Sequence, residues 1–161
     1  MIFLPLLFST LISGIIDEVE SKLIAKYNNA TNIEYNIYDI PQGIKKEIQY
    51  SVRQKFFRDK IHFWKINIEK DIVYTAILDN TIGKSMPITF LVIISNEGNI
   101  LDTEIIKYRE PYGGEISNKQ WTSQFIGKNI KSNFIIGKDI QGITGATISV
   151  HSVNKGVQKL I

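Results

Sequence analysis

Hydroxyl-bearing and small residues gather near the C-terminus, in Gly142-Ile143-Thr144-Gly145-Ala146-Thr147-Ile148-Ser149. Gly142, Gly145 and Ala146 keep the backbone approachable, and the hydroxyls of Thr144, Thr147 and Ser149 surround the gap. Val150 to Ile161 follows with Val150, Val153, Val157 and Leu160 at the spacing of one apolar helix face. A small-residue loop feeding a helix start can receive a phosphate, because unpaired backbone N–H groups and the positive end of the helix dipole point at it. The same pattern also serves as a plain N-cap, where a Thr or Ser oxygen accepts a free N–H without any ligand. Two familiar phosphate loops are excluded: no Gly-Lys-Ser/Thr closes this one, and G-x-G-x-x-G is missing.

Two further loops carry residues that a simple connection does not need. Asn80 to Pro87 is polar and contains Gly83 and Lys84. Arg109-Glu110-Pro111-Tyr112-Gly113-Gly114-Glu115 combines charge, proline, an aromatic ring and flexible residues, and Trp121, Gln124, Phe125 and Gly127 follow it. Aromatic and charged residues on loops held by a rigid scaffold are where binding concentrates, although Tyr112 and Trp121 can equally cap the core.

The elements that would position these loops are legible from periodicity. Ile15 to Tyr27 is expected to be helical, with Ile16, Val19, Leu23 and Ile24 on one face. Ile33 to Ile40 alternates as a strand, and Ile44 to Phe57 reads as an amphipathic helix. Strands are expected over 61–68, 71–78, 87–95 and 100–108, the last two joined by the turn Asn96-Glu97-Gly98-Asn99. Strands in succession with short turns make an antiparallel meander packed on helices, so the fold class is α+β.

Composition narrows the chemistry. At 161 residues and 43% hydrophobic content the chain can bury one sizeable core. The net charge of +3 is mild and the lysines are scattered, which gives a nucleic-acid role little support. There is no cysteine, so disulfides, thiolate metal sites and thiol catalysis are excluded. His62 and His151 lack ligand-like spacing and read as structural or surface residues rather than metal ligands. No acid–base pair and no nucleophile with an activating partner stands out, which lowers the expectation of a substrate-transforming enzyme. Met1 to Ile16 is strongly apolar, too short for a firm transmembrane span but of signal-peptide length, with Ser13 and Gly14 where a peptidase could cut. A buried N-terminal helix is the other reading.

Thr144-Gly145-Ala146-Thr147-Ile148-Ser149 resembles the Ser/Thr-Gly-Ala-Thr-x-Ser/Thr signature of FMN-binding domains, the type found in the covalently flavinylated subunits of Rnf and Na⁺-pumping NADH:quinone oxidoreductase complexes. The segments 83–92, 108–115 and 124–128 resemble that family too, in the same order and spacing. The resemblance implies a domain over 71–161, a supporting part of the same domain over 15–70, and a signal peptide or apolar anchor over 1–14. It also implies FMN esterified through its phosphate to Thr147 by a separate flavin transferase, with Gly145 and Ala146 making room and Thr144, Ile148 and Ser149 completing the site. Tyr112, Gly113 and Glu115 would flank the isoalloxazine, with Tyr112 or Trp121 stacking on it. Lys84 and Arg109 would stabilise negative charge on the reduced ring. The implied partners are redox proteins or a membrane electron-transfer complex, and the implied location is extracytoplasmic. One position departs from the family: Gln141 stands six residues before Thr147, where many members have Asp, and Asp139 lies two residues earlier. An accessory domain with FMN held non-covalently or lost is therefore a second reading.

Overall fold

The computed structural model describes residues 4–161, with side chains from residue 13 onward. Reading 1–14 as a signal peptide or anchor falls almost wholly on side chains outside those described. The first helix, α1, runs Leu4–Lys26 and contains the amphipathic stretch expected from Ile15. No described helix is long and apolar enough to cross a membrane.

Five strands follow: β1 (Asn32–Asp39), β2 (Lys60–Glu69), β3 (Ile72–Ile82), β4 (Pro87–Ile94) and β5 (Ile100–Lys107). They form one antiparallel sheet in the order β1-β2-β3-β4-β5, the meander the alternation implies, with β1 as an additional edge strand. β3 is longer than expected. Asn80, Thr81 and Ile82 pair with Thr89, Ile88 and Pro87, and the Thr89 hydroxyl donates to Asn80 Oδ1 at 2.7 Å. These cross-strand bonds reduce the expected loop of 80–87 to residues 83–86.

Both faces of the sheet are covered. On one, Val19 and Leu23 of α1 pack with Trp64, Ile66, Ala76, Leu78, Leu91 and Ile93. On the other, the C-terminal helix (Thr147–Lys159) packs Val150, Val153 and Val157 on Ile88, Phe90 and Val92. β4 contributes alternate residues to each core, which explains why its sequence is apolar almost without a break. Ion pairs add to the first face: Lys22 with Glu104, Lys26 and Lys119 with Asp102, and Lys107 with Glu18.

The C-terminal helix also approaches the sheet closely. A Cβ on Gly156 would stand 2.7 Å from Phe90 Cζ, so only glycine lets the helix settle at that depth. At its far end Lys159 is buried, 2.7 Å from Asp79 Oδ2, donates to the Lys55 carbonyl at 3.1 Å, and lies over the Phe56 ring at 4.4 Å.

The helix expected over 44–57 is shorter, Gln42–Val52. It ends at Arg53, the sole non-glycine residue with positive φ among those described (φ 55°, ψ 43°). The chain then leaves the helix so that Phe56 can turn into the interior, its N–H held by Gln49 Oε1 at 2.7 Å.

Candidate functional site

Three segments meet at one end of the sheet: the β3–β4 link 83–86, the exit of β5 at 108–113, and the start of the C-terminal helix at 145–149. β4 begins and β5 ends at this edge, Thr89 facing Lys107, so the meander itself brings the first two together.

Their contacts are specific. Glu110 Oε1 accepts the N–H groups of Ser85 at 2.7 Å and Met86 at 2.9 Å, clamping the link to the β5 exit. The donated N–H groups of Met86 and Ser85, with the Lys84 ammonium adding to them, hold this carboxyl below the usual carboxylate range. A side chain on Gly83 would strike Glu110 Oε1 at 2.6 Å and meet Ser149 Oγ at 3.1 Å. Tyr108 donates its hydroxyl proton to the Tyr112 carbonyl at 2.6 Å and lies 3.2 Å from Ser149 Oγ. Gly113 sits at φ 81°, and a Cβ there would fall 2.1 Å from the Ala146 Cβ. The 108–113 segment therefore docks directly on the small residues of the hydroxyl-rich stretch.

That stretch turns before the helix. Ala146 N–H donates to the Ile143 carbonyl at 3.1 Å, and Gly145 takes φ 81°, the conformation that favours glycine at the third position of such a turn. The helix starts at Thr147 with Ala146 as its N-cap, and no side chain caps it. The plain N-cap reading is overturned here, because Thr147 is the first helical residue and alanine has no oxygen to offer. The N–H groups of Thr147, Ile148 and Ser149 and the Thr147 hydroxyl have no hydrogen-bond partner among the described residues. Thr147 is exposed.

The segments enclose an open cavity of about 350 Å³. Lys84 and Ser85 line it from the link, Glu110, Pro111 and Tyr112 from the β5 exit, and Gly145 to Ser149 from the helix start. Of the residues singled out in the sequence, Lys84, Tyr112, Gly145, Ala146, Thr147, Ile148 and Ser149 reach this cavity, and Gly113 packs behind it. Thr144 lies exposed in the turn, and Glu115 in a 3-10 turn over Gly114–Ser117; neither lines the cavity. Trp121 is not available for stacking on a ligand. It is 5% exposed, packs edge-on against Phe125 and donates its indole N–H to the Gln141 carbonyl at 2.9 Å. Tyr112, 77% exposed, is the aromatic ring at the rim. Arg109 does not line the cavity; its guanidinium reaches the Pro87 carbonyl at 3.4 Å.

Sequence reasoning missed Glu110 and Tyr108 as the groups that hold the loops together. Neither shows in periodicity, and only the loop geometry brings Glu110 to the N–H groups of residues 85 and 86. Asp139 accepts the Ile135 N–H at 3.0 Å and so serves its own loop, while Gln141 is held by its backbone, its N–H donating to Gln124 Oε1 at 2.7 Å.

The donor set fits a phosphate carried by a flat aromatic group. Free helix N–H groups and a cation suit the anion, and Tyr112 with the exposed Ile148 offers apolar surface beside it. Comparison with known proteins agrees with that chemistry. Residues 83–161 match the FMN-binding domain family. The chain is 27% identical over 131 residues to a component of the proton-translocating ferredoxin:NAD(+) oxidoreductase complex of Clostridium ljungdahlii, covering 71% of each protein. It is 34% identical over 97 residues to the corresponding component of the Na(+)-translocating ferredoxin:NAD(+) oxidoreductase complex of Acetobacterium woodii, an alignment covering 55% of this chain and 47% of that one.

Proposed function

Since the chain belongs to the FMN-binding domain family through residues 83–161, we propose that it is an extracytoplasmic electron carrier whose FMN is esterified through the phosphate to Thr147. The observation that carries the attachment site is the helix start: an exposed hydroxyl and free N–H groups, with no capping side chain, face a cavity rimmed by Tyr112. FMN supplies one- and two-electron chemistry, and the protein supplies orientation and electrostatics. The N–H groups of the first helical turn hold the remaining phosphodiester charge, favoured by the dipole. Lys84 places a positive charge at the cavity, and Tyr112 offers its face to the ring. Attachment at the phosphate fixes position and leaves the electronics of the ring to its neighbours.

In this reading residues 71–161 form the flavin-bearing part and 15–70 the support that completes the sheet. A flavin transferase makes the ester, and redox proteins of a membrane electron-transfer complex exchange the electrons. The apolar stretch Met1 to Ile16 supports export.

The test is direct. Protein co-expressed with a flavin transferase and then denatured should stay fluorescent on a gel and carry one FMN less water in intact mass. Thr147→Val should remove both signals, and a label that survives this change would sink the assignment. Gln141 favours a second reading, in which an amide stands where many members have a carboxylate and FMN is held without an ester. Protein that turns yellow with FMN but loses all colour on denaturation would select it, and Gln141→Asp should then restore the covalent label.

A further inference from the structure

Thr147 and Ile148 stand on a ridge, with the cavity just described on one side and a second concavity of about 450 Å³ on the other. The second is built from the turn after the short helix 42–52, from the end of β3, and from the outer stripe of the C-terminal helix. Its charged groups are Arg53 and Lys55 from the turn and Lys155 from the helix, where Thr147, His151 and Lys155 recur every four residues. β3 contributes the uncharged Thr81 and Ile82, and among the described residues no carboxylate lines the hollow.

Among the described residues, seven ion pairs join Lys22, Lys26, Lys45, Lys60, Lys107, Lys119 and Lys159 to carboxylates. Among the described residues none involves Arg53, Lys55, His151 or Lys155. Arg53 is also held in the left-handed conformation, which fixes the turn carrying it and Lys55. Around the cations, Phe57 is 49%, Ile82 39% and Ile148 51% exposed, an apolar rim beside the proposed flavin.

We propose that this hollow is the docking surface for an acidic electron-transfer protein, which inserts a protruding acidic segment between Arg53, Lys55 and Lys155 and thereby brings its redox centre to the flavin edge. The assignment rests on the flavin reading above. Unpaired cations with an apolar rim are the arrangement that steers an oppositely charged partner and then excludes water from the contact. The concave shape suits a protruding protein segment better than the plane of a lipid surface.

Binding is tested first without flavin, on the Thr147→Val protein, using an oxidised plant-type ferredoxin as the acidic probe in titration calorimetry. The expected result is a complex that weakens steeply as salt rises past the point where the Debye length falls below about 10 Å, and that weakens about tenfold or more in Lys55→Glu/Lys155→Glu. Arg53→Asn, which tolerates the left-handed turn, should weaken it less. With flavin attached, the same double substitution should slow reduction by dithionite-reduced ferredoxin at low salt and leave photoreduction by neutral deazariboflavin unchanged. Ferredoxin affinity that ignores both salt and the double substitution overturns the surface. Binding to phosphatidylserine vesicles that the double substitution abolishes, with no ferredoxin complex, overturns it in favour of a membrane. Because the calorimetric arm needs no flavin, a colourless protein would refute the flavin reading and leave the docking result standing on its own.

Discussion

The two ends of the C-terminal helix are built on opposite terms. At Lys159 a charge is buried against Asp79, its side chain lies on Phe56 and its ammonium bonds the Lys55 carbonyl. At Thr147 the helix begins on an alanine with no cap, an exposed hydroxyl and N–H groups left without protein acceptors. One end satisfies its polar groups at the expense of solvation, and the other leaves them open to solvent and ligand. A helix anchored at one terminus can tolerate an incomplete other terminus, and the incomplete one is where chemistry can be placed.

The contrast is broken most severely at the anchored end. Lys159→Met strands Asp79 in the interior, where Oδ2 has the ammonium as its ion-pair partner and no well-aligned hydrogen bond besides. Loss of one member of a buried pair should cost about 3–5 kcal/mol in denaturant unfolding. Asp79→Leu combined with Lys159→Met should recover most of that loss, because neither charge is then left alone. Gly113→Ala comes next. Positive φ and the close approach to Ala146 should cost about 1–3 kcal/mol and, more tellingly, displace the 108–113 segment, so that flavin labelling at Thr147 slows in a timed attachment assay.

Tyr108→Phe removes the bond to the Tyr112 carbonyl and should cost about 1 kcal/mol, read as a fall in midpoint with unchanged m-value. Glu110 gives a pH signature. Its carboxyl titrates lower in the folded protein than the ordinary value of 4.5, so the clamp is fully in place above that value and is lost as the pH falls through the depressed one. Amide exchange at Ser85 and Met86, corrected for intrinsic rates, should accelerate over that acid range in the native protein, while Glu110→Ala, which has no side-chain acceptor, should be fast at all pH values. Thr147→Val should be the mildest change of all in stability, within about 0.5 kcal/mol, although it removes the covalent label completely. A large loss of stability from this exposed position would contradict the division of the helix into an anchor and an open end.

What could be read in advance followed from periodicity and from local backbone demands. The Val150, Val153, Val157 stripe marked the helix, and alternation over 61–68 with the turn Asn96-Glu97-Gly98-Asn99 ahead of the return strand 100–108 marked the meander. Less visible were effects that depend on distant partners. Asn80 to Ile82 looked like loop and became strand because Ile88 and Thr89 pair with Thr81 and Asn80. Phe56 fitted a helical face, yet it enters the core from an irregular segment beyond Arg53. Trp121 could read as a ligand platform or as a core residue, and only its burial and its N–H donated to the Gln141 carbonyl decide for the core. Glu110 carried no pattern at all, since a single carboxylate in a loop acquires its role only when another loop offers it N–H groups. The signature around Thr147 was legible because it is contiguous. The clamp that shapes the cavity was not, because it is assembled from chain segments 25 and 24 residues apart.

Gly156 carries a consequence for the whole helix. Phe90 seats in the notch left by its missing side chain, and a rigid rod keyed at one point cannot slide along its own axis. Thr147 lies nine residues before it, about 14 Å along the helix at 1.5 Å per residue. The notch thus works as a ruler, setting from a distance how far the attachment point protrudes towards Tyr112. Gly156→Ala would lift or shift that rod, moving the point of attachment while leaving every group that lines the cavity chemically unchanged.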